Sequence, residues 1–153
     1  MWGAPAAAGP QGYVAPPVMP AAPTGPADPN GLGGAVARWG NAARKQAKTA
    51  LAVAGAVLAE GEKVEVAVAG KFEGNPAVLV LTDSALHLVD DRLWRPATER
   101  IALEPGLQVQ GWQDDRSASL TLVTGGRQLV IDQISDRPLA VEVAQRIRYR
   151  IGG

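Results

Sequence analysis

The sequence predicts a mainly β domain with some α: a sandwich or barrel of seven short antiparallel strands, closed by a C-terminal helix and preceded by one more helix. Three observations carry this. Short apolar stretches recur between residues 63 and 132, with a turn signal between each and the next. The hydrophobic period then changes from two to nearly four at residue 137. Everything before Ala35 is low-complexity, holding eight of the 12 prolines and seven of the 18 glycines. Of the 153 residues, roughly 120 are left to build a core, enough for one domain.

The N-terminal segment, 1–34, alternates Ala, Pro and Gly. Each proline lacks a backbone donor, and the segment has too little apolar bulk to bury. It is expected to be a disordered tail with polyproline-II character. Trp2, Tyr13 and Met19 are its sparse apolar stickers. They suit a spacer or a short ligand for a partner's groove.

Residues 35–59 are good helix formers and two-faced at 100° per residue. Val36, Trp39, Ala43, Ala47, Ala50, Ala54, Val57 and Leu58 share one side; Arg38, Asn41, Arg44, Lys45 and Lys48 share the other. The expected element is one basic amphipathic helix, weakened at Gly40 and Gly55 and stopped at Gly61. Arg38, Arg44, Lys45 and Lys48 are candidate contacts for an anionic surface. The face opposite them is mostly alanine, which gains little from lipid insertion and suits close packing. That packing is on the domain's own sheet or on a second copy.

Residues 60–153 form the β domain. The expected strands are 63–69, 77–81, 85–89, 97–103, 107–112, 117–124 and 128–132. In the first, Val64, Val66 and Val68 alternate with Lys63, Glu65 and Ala67. Turns fall at 70–76, Thr82-Asp83-Ser84, Asp90-Asp91-Arg92, Glu104-Pro105-Gly106, Asp114-Asp115-Arg116 and Gly125-Gly126. The closing helix, 137–151, starts at Ser135-Asp136-Arg137-Pro138 and repeats Leu139, Val143, Ile147 and Ile151 every four residues.

Composition excludes several chemistries. Without cysteine there is no disulfide, thiolate zinc site or cysteine nucleophile. No phosphate-loop, dinucleotide or zinc pattern is present. His87, the one histidine, lies between Leu86 and Leu88, so it is expected on the water-facing side of its strand. No glycine-flanked serine accompanies it. The reading is no enzyme, no cofactor and no metal. Net charge is zero but uneven, with four basic residues and no acid in 35–59 against a balance of −3 in 60–153. The longest apolar run, 49–59, is short of the ~20 residues of a bilayer span. A cytoplasmic protein is expected, with the inner face of the membrane as its second location. Arg outnumbers Lys 11 to 4 beside abundant Ala, Gly and Pro, which hints at a GC-rich bacterial genome.

Seven antiparallel strands and one closing helix resemble a bacterial pleckstrin-homology-like (PH-like) domain over residues 60–151. The residues that carry the resemblance are Leu58-Ala59-Glu60-Gly61-Glu62 before the first strand and the hairpin Leu79-Val80-Leu81-Thr82-Asp83-Ser84-Ala85-Leu86-His87-Leu88-Val89. The Ile101 strand, Ala118-Ser119-Leu120-Thr121-Leu122 and the last helix complete it. The resemblance implies a non-enzymatic scaffold for protein partners, self-assembly or lipid headgroups. Its lipid-binding members carry several Lys and Arg around the first hairpin; here Lys63 and Lys71 stand beside Glu65 and Glu73, against phosphoinositide binding. Arg92, Trp94 and Arg95 are a candidate partner rim, since Trp and Arg concentrate at interfaces. The expected function is protein–protein interaction or self-assembly. The alternative is a peripheral membrane protein held through the basic helix. Nucleic acid is disfavoured by the acidic domain, and no small-molecule substrate is implied.

Overall fold

The computed structural model of the chain describes Asp28, residues 30–90 and residues 98–152. Three short helices come first, α1 (Leu32–Val36), α2 (Asn41–Gln46) and α3 (Lys48–Val57). Seven strands follow: β1 (Val64–Phe72), β2 (Asn75–Thr82), β3 (Ala85–Asp90), β4 (Thr98–Ala102), β5 (Gln108–Gln113), β6 (Ala118–Thr124) and β7 (Arg127–Ile134). Helix α4 (Arg137–Gly152) closes the chain. The strands form one antiparallel sheet in the order β4-β3-β2-β1-β7-β6-β5. All seven expected strands and the closing helix are present, which is the architecture the sequence predicts.

The sheet curls on itself. Arg127, at the start of β7, forks onto Glu99 of β4 with contacts of 3.1 and 2.5 Å, although three strands separate them in sheet order. Where β1 crosses to β7, Lys71 and Phe72 pair with Asp132 and Ile131. At Gly70 a Cβ would stand 2.6 Å from the Asp132 carbonyl oxygen, so the crossing needs glycine. Gly70 is therefore a strand residue, and the turn expected over 70–76 shrinks to Glu73 and Gly74, both at positive φ.

Pairing register sorts the core into two faces. Val66, Val68, Leu79, Leu81, Leu86, Leu88 and Ile101 lie inside the curl. They meet Leu120, Leu122, Ile131 and Ile134 of the other strands and Leu139, Val143 and Ile147 of α4. The opposite face of β1–β3 carries Ala67, Val78, Val80, His87 and Val89, all buried as well. Helix α3 lies on β2 and β3 and α1 lies on β1, which accounts for that burial.

The helical arm therefore docks on its own sheet. Its buried side is Val36, Trp39, Ala47, Ala50 and Ala54; Ala43 and Leu58 are half-buried, and Val57, which the periodicity puts on the same side, is 38% exposed. Trp39 donates Nε1–H to the Ala67 carbonyl at 2.9 Å. The arm differs from the expected single helix over 35–59, because it breaks at Gly40, which is extended at ψ 163, and again at Ala47. A straight helix of that length would run about 37 Å, against about 27 Å for an eight-residue strand. Two breaks keep the apolar side on the sheet. Asn30 clips the arm at its neck: its Nδ2 donates to the carbonyls of Ala59 (3.0 Å) and Glu62 (2.6 Å), and its own carbonyl accepts from Val64 N–H at 2.7 Å.

Candidate interaction groove

Strand β5 is an edge: it pairs with β6, and among the described residues nothing pairs along its other side. Helix α4 passes next to it. Asp136 caps the helix start by accepting from Leu139 N–H at 3.1 Å, and Arg148 donates to the Val109 carbonyl of β5 at 3.1 Å. Between strand and helix runs a groove of about 220 Å³, with Gly111, Trp112 and Leu120 on the sheet side and Ala140, Val141 and Ala144 on the helix side. Gly111 carries no side chain to fill it, and the alanines keep the helix wall low.

The groove is edged by apolar surface left open to water. Trp112 is 62% exposed and Val141 40%. Tyr149, 78% exposed, continues the Val141–Gln145 line of α4 at the i, i+4 spacing. The β5–β6 turn at the groove's end is fixed. The Asp114 carboxylate accepts from the backbone N–H of Arg116 and Ser117, both at 2.8 Å, and these bonds hold its pKa below the usual value. Arg137 donates to the Asp114 carbonyl at 2.7 Å.

The other candidate residues fall elsewhere. Arg92, Trp94 and Arg95 lie outside the described residues. Of Arg38, Arg44, Lys45 and Lys48, the first alone is in an ion pair among the described residues. Arg38 is held by Glu142 of α4, with contacts of 2.9 and 2.6 Å. The hydrogen bonds from Arg38 lower the Glu142 carboxyl to about 2. Arg44 bonds the side chain of Asn41, and Lys45 and Lys48 are exposed. Glu65 of β1 is paired with Arg146 and Arg150 of α4.

His87 corrects the sequence reading. It does face away from the inner core, but the arm covers that face, so it is 5% exposed. Its Nε2 lies 2.7 Å from Oε2 of Glu62, which also accepts from the Thr82 hydroxyl at 2.5 Å, while Oε1 accepts from Ala59 N–H at 2.9 Å. Burial pushes the Glu62 carboxyl up, and these hydrogen bonds outweigh it and hold it at about 2. Glu62, Thr82 and His87 are all buried. They form a structural cluster that joins the arm's neck to the β2–β3 hairpin. Asp90, read as a turn residue, ends β3 and is buried. Among the described residues, no three His, Asp or Glu side chains gather as a metal site would require.

Sequence reasoning passed over the groove, although β5 held a signal. Gln108, Gln110 and Trp112 share one side of the strand, so a tryptophan stands where alternation puts glutamine. Tyr149 likewise stands among the polar residues of α4.

No protein-family model and no curated protein sequence matches the chain. Among solved structures it is similar to a pleckstrin homology domain from Shewanella amazonensis SB2B, at 23% identity and a TM-score of 0.45, over 74% of this chain and 94% of that one.

Proposed function

We propose that the chain is a non-catalytic interaction module that takes an extended protein segment into the groove between β5 and α4. One observation carries this reading: a strand edge with no ladder partner among the described residues and an open apolar groove share the same strand. The edge offers main-chain donors and acceptors for an added strand, and the groove offers a place for its alternate side chains. Trp112, on the opposite side of β5 from Gly111, supplies an exposed aromatic beside the same edge. Covering a large exposed aromatic contributes about 2–3 kcal/mol, the scale of an interface hot spot.

The test is selection of peptides from a random display library on the full chain. Enriched peptides should bind at least tenfold more weakly to Trp112→Ala and to Val141→Arg, and with unchanged affinity to Arg127→Ala. Both groove variants change exposed side chains, so their melting temperatures should stay at the wild-type value. Peptides that bind Trp112→Ala and Val141→Arg as tightly as wild type would place recognition elsewhere on the domain.

A further inference from the structure

We propose that the outward face of α2 and α3 is a docking surface for an anionic lipid bilayer. This surface is separate from the groove, and no residue is common to the two. From residue 29 to 59 the sequence has four basic residues and no acid. Glu142 neutralises Arg38, which leaves three. Lys45 and Lys48 are exposed and, among the described residues, in no ion pair; Arg44 bonds only the neutral side chain of Asn41.

The three charges border a surface of unusual plainness. Lys48, Ala52 and Ala56 form an exposed line at i, i+4 and i+8, flanked by Thr49 and Gly55, also exposed. Nothing on this line stands taller than a threonine except the lysine. A broad flat partner can sit flush against it while Lys45 and Lys48 reach past the short side chains to its charged groups. A bilayer surface has that shape and, with anionic headgroups, the complementary charge. Nucleic acid fits less well, because stacking needs exposed aromatics and Trp39, the arm's aromatic, is buried under the sheet-facing side.

Alanine adds little by insertion, so the interaction rests on charge and must weaken with salt. Each basic residue near an anionic surface raises partitioning about fivefold, so three give roughly a hundredfold. That is weak, reversible adsorption. Residues 1–27 carry no charged side chain, so a charge-driven effect maps to the arm and not to the tail.

The experiment is cosedimentation of the full chain with vesicles of phosphatidylcholine alone and of phosphatidylcholine mixed with phosphatidylglycerol, at low and high salt. The expected result is binding to the mixed vesicles at low salt only. Lys45→Glu combined with Lys48→Glu should lower that binding by roughly 25-fold or more. Trp112→Ala should leave it unchanged, which separates this surface from the groove. Absence of binding at low salt overturns the proposal, as does equal binding to neutral vesicles or binding indifferent to the double charge reversal. Tighter binding to duplex DNA than to the mixed vesicles, read by fluorescence anisotropy, also overturns it. Should the double variant fail to fold, the lipid and salt dependence of the wild type decides alone.

Discussion

Glu62 occupies an unusual position for a carboxylate: nearly sealed from water, yet supplied with hydrogen-bond donors from three parts of the chain. Its folded pKa of about 2 lies below the ordinary value of 4.5. A depressed carboxyl stabilises the fold fully above its unfolded pKa, and that contribution is lost as pH falls through the folded one. The window is therefore from about pH 4.5 down to about 2, and the contribution is on the order of 3 kcal/mol. Glu142, Glu99 and Asp114 are shifted the same way, so the Glu62 contribution is read as the difference between wild type and Glu62→Gln in urea unfolding at several pH values. The glutamine variant should lose less stability than wild type between pH 4.5 and 2; equal slopes would show that Glu62 is not held ionised. The cluster was half legible in the sequence. Alternation of β3 correctly puts His87 opposite Leu86 and Leu88, but the arm that covers His87 lies tens of residues upstream, and period-two patterning carries no information about it.

At the scale of elements, strands were easier to read than their crossings. The β2–β3 and β6–β7 hairpins declare themselves through Thr82-Asp83-Ser84 and Gly125-Gly126, the latter pair at φ 56 and 79. Gly70 reads as another turn glycine because composition cannot distinguish a bend from a close approach. Its Cβ would meet backbone oxygen at 2.6 Å and two isoleucine side chains, Ile134 and Ile131, at 2.8 and 2.9 Å. A carbonyl fixed in a ladder cannot yield as a flexible side chain can. Gly70→Ala should therefore cost about 2–3 kcal/mol by overpacking, seen as a lower melting temperature. The same substitution at Gly40, where nothing lies within 4 Å and the backbone is extended, should cost no more than a few tenths. Similar losses at both sites would mean that β1 and β7 are not in close contact. The arm's two breaks were not legible in local propensity, since they answer to the length of the sheet beneath. The groove follows this pattern too: Trp112 is a local anomaly within β5, whereas the α4 wall opposite it is known only from the fold.

At the scale of the molecule, the arm decides what the domain is. A sheet whose outer face is polar can stand without additions; this one carries Ala67, Val78, Val80 and Val89 on that face, all buried where α1 and α3 pack on it. Three valines alone contribute roughly 5 kcal/mol by burial, comparable with the whole stability of an ordinary domain. The ties at the neck add to this, because Asn30 and Glu62 bond elements on both sides of it. A chain starting at Glu60 should accordingly aggregate or melt far below wild type, seen by size-exclusion chromatography and urea unfolding. A chain starting at Asp28 keeps the Asp28 carboxylate on Gly33 and Gly34 N–H and every neck contact, and should match wild type. If the chain from Glu60 is instead monomeric and equally stable, the arm is an ornament on a self-sufficient domain. The distinction bears directly on the membrane surface. Deleting the arm removes the lysines and bares apolar sheet at once, and bared sheet can adhere to any vesicle. Charge reversal at Lys45 and Lys48 changes one property and leaves the cover in place, so it is the variant whose outcome speaks to the charge.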